Sequence, residues 1–316
     1  MSQPESAVAD AKARGRKDGT SSQGPNAPGK ESLAELAARY GLRRAIARPS
    51  LPSYARQLWQ RRHFVLTYAT SKNVTKYSNT ALGQLWQVLT PLLNAAIYWL
   101  MFGLILGASR GIDNYPAFLI TGMFVFTYTQ RSVSGGAKSI SGNLSMIRAL
   151  HFPRAALPLA YTVQELQQLL ISMAVLIGLV LLTQEPVTTL WLLIPVALLL
   201  QTMFNIGFSL IMARVGAFAR DLNQLLPFIM RTWLYASGVF FSIQDKVVAS
   251  AGLPQWVADI MYLNPAAAYI EFMRDLLIAG HSPREWVWMA CVFWAVFTLL
   301  VGFWYFWRAE ERYGRG

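Results

Sequence analysis

Charge is scarce in this 316-residue chain: 14% of its residues are charged and 54% are hydrophobic, where an ordinary soluble domain has roughly 25% charged. So little charge excludes a conventional soluble surface, and several apolar runs reach the roughly 20 residues that cross about 30 Å of hydrocarbon. Cysteine is almost absent. Cys291 alone excludes a disulfide framework or a thiolate metal site, and its place in an apolar run makes it a small packing residue. The three histidines, His63, His151 and His281, lie far apart and offer no metal spacing. The nearest approach to a phosphate loop, GGAKS at 135–139, lacks the glycine before the lysine and the upstream spacing, and no strand precedes it. No catalytic residues, cofactor or metal site are legible, so an energy source must come from another polypeptide. Acidic residues are the rarer charge, 16 against 28 Lys and Arg. The basic excess is segregated by loop, which is a membrane-topology pattern and does not call for nucleic acid.

What is present reads as an all-α polytopic membrane protein. Residues 1–50 form a basic tail. Up to residue 30 it is rich in Ser, Gly, Pro, Ala, Lys and Arg and cannot bury enough surface to fold. It also lacks the apolar core of a signal peptide, which places the N terminus in the cytosol. Leu33, Leu36, Ala37 and Tyr40 give a short helix near 31–48, stopped by Gly41 or Pro49.

Residues 51–84 form an amphipathic interface segment. Tyr54, Leu58, Val65 and Ala69 make one stripe, opposed by Arg56, Gln60 and His63, with Arg61 and Arg62 in or beside it on stems long enough to snorkel. The segment runs directly into the first of six spans, at about 85–106, 116–133, 156–182, 190–218, 225–243 and 286–307. Between the second and third spans a loop carries an amphipathic helix over 139–150. Between the fifth and sixth, Asn264 caps a short helix that begins at Pro265 and stops by Gly280.

Fourteen Lys and Arg precede Leu85, and ten more fall in inside segments. Arg110, Lys246, Arg274 and Arg284 alone fall outside. Both termini are therefore expected in the cytosol, with 308–316 as a tail.

Two buried-span charges stand out, because a charge near mid-span costs roughly 2.5–3.5 kcal/mol and so faces a partner, a cavity or a pathway. They are Glu165 and Arg231, which fit either a structural ion pair or reception of an anionic head group. Glu271 and Arg274, three apart, fit a local pair or a sugar contact.

The motif KNVTKYSNTALGQLWQVLTPLL at 72–93 resembles the segment at the first span of ABC-2 type permeases that export polysaccharides. The matching residues are Lys72, Lys76, Tyr77, Ser78, Leu82, Gly83, Leu85, Trp86 and Pro91. HFPRAALPLA at 151–160 is similar to the loop before the family's third span, and the stretches from Arg220 and Tyr262 resemble its fifth span and external helices. Gly238 departs from the family, which commonly has a proline there.

The resemblance implies a homodimer of six-span subunits, with an N-terminal interface helix and short external re-entrant helices between spans five and six. It also implies two copies of a separate ATPase that binds ATP and Mg, and a cargo of lipid-linked glycan moved across the cytoplasmic membrane of a bacterium. The docking helix would then comprise Ser139, Asn143, Leu144, Ile147, Arg148 and His151. A head-group rim would comprise Arg56, Arg61, Arg62, Lys72, Lys76 and Tyr77, in contact with membrane lipids, and Gly83 and Pro91 would let span one tilt.

Aromatic rings cover the C–H faces of sugars without fixed hydrogen bonds, which makes channel-lining candidates of Tyr98, Trp99, Phe118, Phe124, Tyr128, Trp233 and Tyr235, with Arg231. Phe126, Phe228, Phe240 and Phe241 extend that set. Each ring singly also fits core packing or an interface belt. A drug or lipid permease of the same fold, and a non-transporting scaffold, are the alternatives.

Overall fold

The structure, a computed structural model, describes residues 39–40, 49–78, 80–105, 112, 114–150, 152–182, 185–219, 221–278 and 285–313. The expected disordered tail, the helix at 31–48 apart from residues 39–40, His151 and the side chain of Tyr98 lie outside the described residues.

The interface segment forms two helices. Helix α1 (Leu51–Gln60) has Pro52 in its first turn, where no backbone N–H is needed. Helix α2 (Arg62–Ser78) buries Val65, Ala69, Asn73 and Tyr77, a row spaced by four that faces the third span. Asn73 locks that contact by donating to the Gln164 carbonyl and the Gln167 side chain, at 3.1 and 2.9 Å. Gly83, at φ 50°, turns the chain, and α3 (Trp86–Tyr98) follows with Pro91 inside it. It widens into π-helical turns over Trp99–Ile105.

Helix α4 (Tyr115–Ser139) is capped by the Asn114 side chain, which accepts from Ala117 N at 3.2 Å. It is buried nearly all round and forms the middle of the bundle. This corrects the expected end of the second span at 133 and the placing of Ser139 on the docking helix, because Ser139 is buried on the last turn of α4. The glycines there permit close packing and do not break the helix. A side chain at Gly136 would collide with the backbone of Ser209.

The connection holds only a six-residue helix, α5 (Leu144–Ala149). Then come α6 (Ala156–Leu182), a 3-10 turn at Thr189–Leu193, and α7 (Ile194–Phe218). Helices α7 and α11 (Glu285–Trp307) run against each other with backbones nearly touching at Gly207 and Gly302. Three helices among the described residues are long and apolar enough to cross a membrane: Ala156–Leu181, Thr189–Phe218 and Glu285–Trp307.

Helix α8 (Leu222–Ala236) is shorter than the span expected over 225–243. It stops because Gly238 takes φ 66°, in the left-handed region that glycine adopts without steric cost. A short π-helical stretch, Gln244–Ser250, precedes α9 (Gln255–Tyr262) and α10 (Pro265–Leu277). Asn264 caps α10, accepting from Ala266 N at 3.2 Å.

Candidate functional site

The end of the bundle carrying α1, α2 and α5 holds most of the expected rim and docking residues. Arg56, Arg61, Arg62 and Lys76 are exposed. The Arg62 guanidinium lies 5.5 Å from the ring of Trp59, which is 70% exposed, so this part of α1 shows an aromatic side chain and cations together. Tyr77 is buried beneath Lys76, whose ammonium lies 5.2 Å from its ring.

Lys72 differs. Its ammonium sits 5.4 and 5.3 Å from the rings of Tyr68 and Tyr161 and donates to the Tyr161 hydroxyl at 3.3 Å. Two rings hold it between α2 and α6, so it is half-buried and is not a free rim charge.

The docking turn is anchored from two sides. Ile147 is buried, while Ser145, Arg148 and Leu150 are exposed. Leu144 is half-buried. Asn143, just before α5, donates to the Ser139 carbonyl at 2.7 Å and accepts from the Tyr68 hydroxyl at 2.8 Å. The loop thus presents a short exposed knuckle while α2 and α4 grip its base.

The channel candidates separate into two groups. Trp99, Phe228, Arg231 and Tyr235 are exposed. Helix α8 keeps Leu226, Met230 and Leu234 inward, and so leaves Phe228, Arg231 and Tyr235 on its open side. Phe118, Phe124, Phe126, Tyr128 and Phe240 are buried in the core of the chain. Phe241 is half-buried. Trp233 is also half-buried, donating to Asn264 at 2.7 Å with its ring edge-on to Phe126 and Phe208. Aromatic content alone gave no helical phase, and α4 is the helix buried all round, so its rings became core.

Phe124 and Tyr128 do help to wall a cleft between α3, α4 and α6, along with Asn94, Thr127 and Gln168. Glu165 meets Arg131 there, at 3.9 Å. Of the two roles left open for Glu165, the structure shows an ion pair, made with Arg131. Gln168 donates to the Gln87 carbonyl at 2.7 Å.

At the other end of α4, Arg274 is 2% exposed. It donates to the carbonyls of Phe118, Gly238 and Val239 at 2.9–3.2 Å, and its guanidinium lies over the Phe118 ring. Glu271 lies 3.8 Å away and accepts from the Tyr262 hydroxyl at 3.3 Å. The Gly238 and Val239 carbonyls lie past the end of α8, outside its hydrogen-bond ladder, and a buried cation satisfies them here. Arg274 and Glu271 therefore hold the turn after α8 in place, inside the core and away from a sugar-facing surface.

Among the described residues no group of His, Cys, Asp and Glu is gathered to hold a metal. Cys291 is buried.

Apolar helices of this length, with their charges paired inside or left on one helix face, make this an integral membrane protein. The chain belongs to the ABC-2 type transporter family, which it matches over residues 65–278. It is similar to the O-antigen export system permease protein RfbA of Klebsiella pneumoniae, at 28% identity over 225 residues, covering 71% of this chain and 83% of the relative. The protein of the same name from Myxococcus xanthus is 27% identical over 231 residues, with 72% and 85% covered. The polysialic acid transport protein KpsM of Escherichia coli is 22% identical over 236 residues, again with 72% and 85% covered.

Proposed function

We propose that this chain is the permease subunit of an ATP-driven exporter that moves lipid-linked polysaccharide across the cytoplasmic membrane of a bacterium. It would cross the membrane six times with both termini in the cytosol. It would act as a homodimer with two copies of a separate ATPase, which binds the ATP and Mg. The relatives support the cargo class, being O-antigen export permeases and a polysialic acid transport protein.

One observation carries the reading for this chain: the open side of α8, where Phe228, Arg231 and Tyr235 are exposed together. An arginine facing hydrocarbon costs roughly 2.5–3.5 kcal/mol, so this face suits a second copy and a wet path between the two. Phe228 and Tyr235 are rings over which sugar faces slide. The exposed cations Arg56, Arg61, Arg62 and Lys76 suit an anionic lipid head group arriving at the inner face, and the α5 knuckle suits insertion into the ATPase. Phe118, Phe124 and Tyr128 take no part in the path.

The test is depletion of the protein followed by analysis of lipid-linked glycans, which should accumulate inside the cell. Unchanged glycans together with sensitivity to an amphipathic drug would favour a drug permease. With export measured, Arg231→Ala should lose transport well beyond any loss of protein from the membrane. Equal losses of the two would remove α8 from the pathway.

A further inference from the structure

Glu310, three residues beyond α11, is 8% exposed. Its side chain and backbone are held from two other parts of the chain. The Tyr54 hydroxyl, on α1, donates to Oε2 at 2.8 Å. The Arg154 backbone N–H donates to Oε1 at 3.0 Å, and the Arg154 guanidinium donates to the Glu310 carbonyl. The same Tyr54 hydroxyl accepts from Ala155 N at 3.1 Å.

Arg154 and Ala155 are the residues before α6, where N–H groups have no partner within the helix. Glu310 and Tyr54 thus cap α6 from distant parts of the chain, and a carboxylate at a helix N-terminus is electrostatically favoured.

The surroundings repeat the three-way junction. Tyr54 packs against Phe303 of α11 at 5.7 Å, and Tyr313 stacks on Phe306 at 4.6 Å. The Trp307 indole donates to the Pro49 carbonyl at 2.9 Å. Ile147 of α5 belongs to the same buried cluster as Tyr54, Ala155, Phe306 and Tyr313. Apolar side chains would fill this space at lower cost than a buried carboxylate. A buried, fully paired network instead specifies one arrangement of the elements that it joins.

We propose that Glu310 is a positioning residue that clasps α1, the start of α6 and the end of α11 into one body, so that a push on the α5 knuckle is delivered to α1 and to α6 together. The coupling half of this proposal rests on the exporter reading, whereas the clasp itself does not. No covalent step is involved; the carboxylate acts by holding two donors that belong to separate elements.

Two measurements on the full-length chain test it. Cys291 is the sole cysteine and is buried, so spin labels placed by Gln60→Cys and Leu150→Cys report the α1-to-knuckle distance cleanly. The intact protein should give one narrow distance, and Glu310→Ala should broaden it. Tyr54→Phe should broaden it less, and Glu310→Gln, which keeps one acceptor oxygen, should partly restore it. A distance unaffected by Glu310→Ala overturns the clasp.

In cells, Glu310→Ala should lower glycan export about fivefold or more, with membrane level and ATP hydrolysis by the complex retained. Export at the wild-type level, or export falling only in step with protein level, overturns the coupling role. If depletion of the wild-type protein leaves lipid-linked glycans unchanged, the exporter reading fails, while the label distance still decides the clasp.

Discussion

Arg274 and Glu310 are both buried charges, placed at opposite ends of the bundle, and they differ in what they hold. Arg274 donates to backbone carbonyls of α4 and of the turn that follows α8. Removing it strands the carbonyls of Gly238 and Val239 and leaves Glu271 without its nearby cation. Glu310 accepts from a side chain 256 residues away and from a backbone N–H 156 residues away, with Ala155 N and the Arg154 side chain completing the junction. The first charge fixes an irregular turn locally. The second, with the buried cluster around it, fixes the relation between elements distant in the chain. On physical grounds the first should govern whether the protein folds and the second how its parts act on one another.

The sharpest way to break that contrast is Arg274→Met. Loss of one partner from a buried, hydrogen-bonded charge network costs about 3–5 kcal/mol, so folded protein in the membrane and the melting midpoint in detergent should both collapse. Glu310→Ala, which removes a cap, should cost only about 1–2 kcal/mol. Equal stability losses in the two variants would mean that both ends are simply structural.

The strut linking the two ends is the α7–α11 crossing. Gly207→Ala would place a methyl group inside the backbone of Thr298. Overpacking of this kind typically costs about 1–3 kcal/mol, and unlike loss of Glu310 it should lower stability without altering the α1-to-knuckle distance. A melting midpoint equal to that of the wild type would show that the two helices part freely.

The sequence and the structure agree where periodicity and length decide. The third and sixth spans were expected at 156–182 and 286–307, and the helices found are Ala156–Leu182 and Glu285–Trp307. Both runs are apolar, and their length and composition mark them. Sequence reading went astray where packing decides. Gly135 and Gly136 read as a loop, but α4 continues through them because α7 lies too close for a side chain at Gly136. Gly238 stands where the resembling family has proline, and the structure shows that a left-handed glycine ends the helix instead.

Among the site residues, those singled out by charge on an amphipathic face, such as Arg56, Arg61 and Lys76, are exposed as that pattern implies. Those singled out by aromatic type alone, such as Phe118 and Tyr128, turned out to be core. Tyr54 and Glu310 were legible only as a stripe member and a tail acid, and Arg154 as the arginine of the HFPRAALPLA motif. Their meeting depends on contacts across the whole chain, which no local pattern encodes.

A smaller effect separates the two lysines of the rim. Lys72→Glu places a carboxylate between the rings of Tyr68 and Tyr161, and should lower the melting midpoint by an amount on the order of one cation–π contact, about 1 kcal/mol. Lys76→Glu changes an exposed charge that meets one ring, at 5.2 Å, where Lys72 meets two, so it should cost less stability than Lys72→Glu while export falls. Matching stability losses in the two would place Lys76 in the same packing as Lys72.

The smallest expected effect is a pH slope. Burial lifts the Glu310 carboxyl above the ordinary carboxylate range, and this outweighs the donors from Arg154 and Tyr54 that favour its charged form. The folded state therefore binds this proton more tightly than the unfolded chain does. The stability contributed by this group is complete below the ordinary unfolded value of about 4.3 and is lost as pH rises through the lifted folded value. Glu310→Gln removes the titration while keeping the shape of the side chain. On moving from about pH 7 down to about pH 5, the wild-type melting midpoint should gain relative to that of the Gln variant. A wild-type slope no different from the variant's would mean that the two donors offset burial fully, so that Glu310 holds α1 and α6 as a permanent anion.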